Sequence, residues 1–263
     1  MSATMMRTSN PTLNPSVFQR AELDSDRRAG AMTIQGAAIK TLILVAIVTL
    51  VGAYAWTHLV TQQVVDGAVR YVVSDSVVGF MLGGMLGGLV LGFVTVFRPQ
   101  WSPVTAPLYA GCQGLAMGAV SALFEMRYPG IVVQAVTGTI GTLVVMMTVY
   151  ATGLVKVTDK FRAGVVAATG AVCLVYLASW IMSLFGVRMS FLYDSSLLSI
   201  GISVVVIIIA ALNLILDFDV IATCAEQGAP KFMEWYGGFS LLVTLIWLYL
   251  EILRLLAKTR GRN

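Results

Sequence analysis

The stretch Ser195-Ser-Leu-Leu-Ser-Ile-Gly-Ile-Ser-Val-Val-Val-Ile-Ile-Ile-Ala-Ala-Leu-Asn-Leu-Ile-Leu216 decides the fold. It contains no Asp, Glu, Lys or Arg. A helix rising 1.5 Å per residue needs about 20 such residues to cross the roughly 30 Å hydrocarbon layer of a bilayer. Backbone groups in lipid must bond within their own segment, which leaves helices and closed barrels. The two-residue alternation of a barrel strand is missing, so this stretch reads as a transmembrane helix.

Working outward, six further runs have the same character: Thr41–Val60, Ser76–Phe97, Pro103–Phe124, Tyr128–Val155, Ala163–Val187 and Gly237–Ala257. Only the last carries charges, Glu251 and Arg254. Seven spans account for most of the 263 residues, which are 58% hydrophobic and 11% charged. Soluble domains carry about a quarter charged residues, so an independent soluble domain is excluded. The fold class is an all-α membrane protein with a seven-transmembrane helix bundle. The chain divides into a polar N-terminal segment, 1–36, a helical domain, 37–258, and a basic tail, 259–263.

The connections expected between spans are Thr61–Asp75, Arg98–Ser102, Glu125–Arg127, Lys156–Arg162, Arg188–Asp194 and Asp217–Tyr236. Lys and Arg favour cytoplasmic flanks. The N-terminal stretch through Lys40 holds Arg7, Arg20, Arg27, Arg28 and Lys40, and one connection holds Lys156, Lys160 and Arg162. Both therefore read as cytoplasmic. Seven crossings put the C-terminus outside despite Arg254, Lys258, Arg260 and Arg262. The N-terminal segment lacks the short apolar core of a cleaved signal peptide. In the second span, Gly83–Gly87 and Gly84–Gly88 form small-xxx-small pairs that permit close helix approach. Packing inside the bundle is the expected use, and a homodimer face is the alternative.

The net charge of +4 is spread over loops and ends, with no clustered footprint for nucleic acid. Cys112, Cys173 and Cys224 have spacings that suit neither disulfides nor a metal knuckle. His-Glu-x-x-His, Gly-x-Ser-x-Gly, and Walker and dinucleotide loops are absent, so no enzyme is expected.

Ionisable groups within a membrane are costly and mark candidate sites. Four acids qualify by position: Asp217, Asp219, Glu125 and Glu251. Asp217 and Asp219 are expected to close the sixth span, about 200° apart around the helix, so only one can face the bundle. Glu251 has Arg254 three residues on, which gives it a structural ion pair as one reading. The other reading is a carboxylate site that exchanges protons and binds a hard cation such as calcium through oxygen ligands. Glu125, beside Arg127, reads as an interfacial anchor.

The opening Arg7-Thr-Ser-Asn-Pro-Thr-Leu13, the seven-span layout, Tyr128-Pro-Gly-Ile-Val-Val-Gln-Ala135 and Gly228-Ala-Pro-Lys-Phe-Met-Glu-Trp-Tyr236 resemble the bacterial branch of the Bax-inhibitor family. The similarity covers the whole chain. It implies a last helix surrounded by the other six, a bacterial inner-membrane location and a pH-sensitive calcium leak governed by two aspartates. The first carries over to Asp219 in the Phe218-Asp219 step, with Asp217 its rival. The second falls on Glu251 if Leu248-Tyr249-Leu250-Glu251 is matched. It falls on Thr244 if the Leu-Arg near the helix end is the anchor. The expected ion-binding and pH-sensing set is thus Asp219, Glu251, Asp217 and Thr244, with Asp219 and Glu251 as the metal-binding pair. Expected partners are the lipid bilayer, calcium ions and protons; calcium is cargo and no other cofactor is implied. Two alternatives remain open: a non-conducting interaction or quality-control protein, and a small-solute transporter with a midplane site.

Overall fold

The computed structural model describes residues 30–65, 68–186 and 194–262. The N-terminal segment through residue 29, including the Arg7–Leu13 motif, and residues 187–193 with Arg188 lie outside the described residues.

Seven membrane-length helices follow one another: α1 (Ile34–Leu59), α2 (Val77–Phe97), α3 (Ser102–Arg127), α4 (Ile131–Ala151), α5 (Asp159–Leu184), α6 (Leu197–Glu226) and α7 (Met233–Arg260). Each is long and apolar enough to span a bilayer. Hydroxyls are satisfied within their own helix: Thr41, Thr95, Thr139 and Thr169 each donate to the carbonyl four residues earlier. This back-bonding satisfies a polar side chain where lipid offers no partner.

Two boundaries differ from expectation. The connection after the first span contains an antiparallel hairpin, β1 (Val60–Val65) and β2 (Ala68–Val73), with Val60 opposite Val73 and Val65 opposite Ala68. The β-branched runs on either side of the Asp66-Gly67 step carry the usual short-range hairpin signal. The sixth helix also continues ten residues past Leu216, to Glu226. Charge does not stop a helix; the helix ends at the left-handed Gly228 (φ 68°), followed by Pro230. Asp217 and Asp219 therefore lie inside α6 rather than at its end.

Helix α7 is the centre. It packs against α6, α1, α4 and α3, while α2 lies on α3 and α5 lies on α6. Its buried face runs through Gly237, Leu241, Leu245, Leu248 and Ile252. The core around it adds Ile131 and Ala135 of α4 and Ala210 and Leu214 of α6. On α3, the small residues Ala106, Ala110, Gly114, Gly118 and Ala122 are all buried. They let α1 approach so closely that a β-carbon on Gly118 would sit 2.5 Å from the Gly52 carbonyl oxygen. Gly84 and Gly88 of α2 are likewise buried against Cys112, Ala116 and Gln113 of α3, so these glycines serve packing within the bundle. Gly83 faces open space.

Candidate functional site

The seam between α6 and α7 is polar at both ends. On α7, Ser240, Thr244, Glu251 and Lys258 follow steps of four, seven and seven residues, which place them within about 40° of one another around the helix. On α6, Ser199, Ser203 and Asp217 likewise share one face. The two helices run antiparallel and these stripes meet.

At one level, both oxygens of Asp217 accept hydrogen bonds from α7. Ser240 Oγ donates to Oδ1 at 2.7 Å and Thr244 Oγ1 donates to Oδ2 at 2.6 Å. Asp217 stands nine residues before the end of α6, and Thr244 eleven after the start of α7, so both are about 14–16 Å inside their helices. At the other end of the seam, Lys258 Nζ donates to the Ser199 carbonyl at 3.2 Å and lies 2.8 Å from Ser203 Oγ. Between the two ends, Ala210, Leu214 and Leu248 are fully buried and close the seam with hydrocarbon.

Glu251 belongs to a separate cluster. Its side chain is 1% exposed and accepts from Arg254 Nη1 at 2.9 and 3.1 Å and from the Tyr176 hydroxyl of α5 at 2.9 Å. Arg254 also donates to the Tyr176 oxygen at 2.6 Å and stacks over that ring. The reading of Glu251 as the partner of Arg254 is the arrangement observed.

Asp219 faces outward to α5, where its Oδ2 accepts from Arg162 Nη2 at 2.6 Å. The structure does not bring Asp219 and Glu251 together. Asp219 lies beyond Asp217 in the direction away from Glu251: Asp217 is level with Ser240 and Thr244, about 10–16 Å along α7 from Glu251, and Asp219 is about 3 Å farther. Among the described residues no group of three or more His, Cys, Asp and Glu side chains converges to hold a metal. Asp217 and Thr244, the reserve members of the expected set, are the two in direct contact. Glu125 caps α4, accepting from the backbone N–H groups of Gly130 and Val132. All three cysteines are free.

Several polar residues were missed by reading the chain. Glu234, 2% exposed, accepts from the backbone N–H and hydroxyl of Thr33 at 3.1 and 2.9 Å, and so sits over the start of α1. An anion is favoured there by the helix dipole and the free N–H groups. Its signal was present: Glu234 falls in register with the buried positions Gly237, Gly238, Leu241 and Leu245 of α7. Ser240 lies one turn before Thr244 and could have been read as a second hydroxyl for the same partner. Tyr176 and Arg162 carry no such signal, because their partners are remote in sequence.

A seven-helix membrane bundle around its last helix, with one carboxylate held between α6 and that helix, defines the class. The chain belongs to the Bax inhibitor 1 like family, whose sequence pattern matches residues 10–261. No curated protein and no solved structure matches it.

Proposed function

We propose that this protein is a proton-sensitive cation leak, with calcium as the cation, in a bacterial inner membrane, with its N-terminus cytoplasmic. One observation carries the reading: Asp217, within a membrane-crossing helix, is bonded through both oxygens to hydroxyls of the central helix. An ionised carboxylate only accepts, and here both hydroxyls donate to it. Protonation turns one oxygen into a donor, so one of these bonds must turn or break and the α6–α7 contact loosens. The same oxygens, with the Ser240 and Thr244 hydroxyls, are hard ligands suited to calcium. In this reading the sensing role passes from Asp219 to Asp217. Asp219 and Arg162 form an ion pair at the α5 side, and Glu251 is held by Arg254 and Tyr176. In the conformation described, Leu214 and Leu248 block the route.

The test is calcium flux in proteoliposomes across pH 5–8. Wild-type flux should rise as pH falls, and Asp217→Asn should flatten the profile. Thr244→Asp, which supplies the second carboxylate of the family pattern, should steepen it. An unaltered profile in Asp217→Asn removes Asp217 from the role. A second reading, a non-conducting membrane partner protein, is favoured by one feature: the far half of the seam carries two cations, Arg254 and Lys258, against the single carboxylate of Glu251. That excess opposes cation passage, and absence of flux at every pH would select it.

A further inference from the structure

Helix α5 is the least embedded of the seven, with only Val165 and Ser179 buried in its 26 residues. The polar bonds that hold it to its neighbours include Arg162 to Asp219, Thr169 to Asn213 at 2.8 Å, and Tyr176 to Glu251. Between these bonds α5 and α6 stand apart. A groove of about 700 Å³ lies there, walled by residues that include Ala171, Tyr176, Gly201 and Ile202. A second hollow of about 250 Å³ continues it toward the start of α5, lined by Lys160, Phe161 and Gly164. Ala168 and Ile209 line both, so the two form one seam.

We propose that this seam binds an anionic phospholipid of the surrounding bilayer, with an acyl chain in the groove and the headgroup phosphate on Lys160. The α6 wall of the larger groove runs from Leu197 to Ile209, about 18 Å at 1.5 Å per residue, a length that seats an extended acyl chain. The rim is apolar and exposed at Leu197, Leu198 and Val175, and in a membrane-spanning segment the medium at such a rim is acyl chain rather than water.

Charge selects the headgroup. Lys160, in the first turn of α5, lines the mouth of the seam, and Lys156 lies four residues before it in the connection that leads into the helix. Both are exposed, and among the described residues neither has a carboxylate within ion-pair distance. A lysine at the level where a helix leaves the hydrocarbon meets lipid phosphate. From Lys160 to Ala168 is about 12 Å of helix, so a chain anchored at Lys160 passes the narrow hollow and ends in the larger groove.

Both walls offer a substitution that fills the seam without disturbing the backbone. A β-carbon on Gly164 or Gly201 meets no atom within 4 Å. The full-length protein is delipidated in detergent and titrated with phosphatidylglycerol or phosphatidylcholine of identical chains, and retained lipid is counted by native mass spectrometry. Phosphatidylglycerol should bind more tightly, and Lys160→Gln should weaken it about fivefold, the effect of one lysine–phosphate contact. Lys160→Arg should restore it, and Gly201→Leu and Gly164→Leu should weaken both lipids. Equal binding of the two lipids, or indifference to Lys160→Gln, overturns the anionic assignment. Indifference to both leucine substitutions overturns the groove. A wild-type readout guards against misfolded variants: phosphatidylglycerol with a mid-chain diazirine should label α5 and α6 peptides above the exposed face of α2. Equal labelling of α2 overturns the proposal, as does disulfide cross-linking of Cys173 between two copies that lipid fails to displace.

Discussion

Asp217 and Glu251 are carboxylates lodged between helices of one bundle, yet their partners give them opposite chemistry. Glu251 is met by a guanidinium and a phenol, so its charge is balanced where it stands. Asp217 is met by two neutral hydroxyls, so its charge is left to be answered by a proton or a cation. Removing one member of a buried ion pair is costly because the other charge is stranded, whereas replacing both with apolar groups of similar size is near neutral. Arg254→Met should accordingly lower unfolding free energy in detergent by about 3 kcal/mol, and Glu251→Leu with Arg254→Met should recover most of it. Equal loss in the single and double variants would show that the pair is not the unit. The sequence pointed to the Glu251–Arg254 pair through its three-residue spacing. It left Asp217 and Asp219 undecided, because which one faces inward depends on the rotation of α6 about its axis, set by packing from α5 and α7 rather than by local spacing.

At the scale of the element, the existence of the seven helices was legible because length and lack of charge suffice in lipid. Their ends were not. The sixth span was closed at Leu216 on the strength of two aspartates, while the backbone stops only at the Gly228–Pro230 turn. That ten-residue difference moves the candidate carboxylate from the end of the helix to a position nine residues inside it. The use of glycine also divides by element. At Gly118 the neighbouring carbonyl of Gly52 is fixed backbone that cannot move aside, so Gly118→Val should destabilise the α1–α3 contact by about 1–3 kcal/mol. Gly83→Ala, on the open face of α2, should be neutral or stabilise by about 0.5–1 kcal/mol through helix propensity. Thermal melting of the purified protein distinguishes the two, and similar losses at both sites would point to α2 packing on another chain.

For the whole molecule, the first and last helices are joined at one corner. Residues before α1 pair with the turn between α6 and α7: Met32 N–H donates to the Ala229 carbonyl at 2.7 Å, and Lys231 N–H to the Gly30 carbonyl at 3.0 Å. Glu234 then closes over the start of α1. Glu234→Ala should release the Thr33 donors and cost about 1–2 kcal/mol, in the range of a lost helix cap. Hydrogen exchange at the start of α1 should rise with it, and unchanged protection there would count against the cap. The buried register of Glu234 was legible in the chain but its partner was not, since residues about 200 positions apart meet only when the bundle has closed.

The central position of α7 has a consequence for biogenesis. The ribosome delivers this helix after the six that pack around it or behind it. Until it arrives, Asp217 lacks its hydroxyl donors and Ser203 its lysine, and the start of α1 is without its carboxylate. The polar seam of the bundle is therefore completed only when α7 has inserted, because its hydroxyls, lysine and carboxylate are the partners that α6 and the start of α1 wait for.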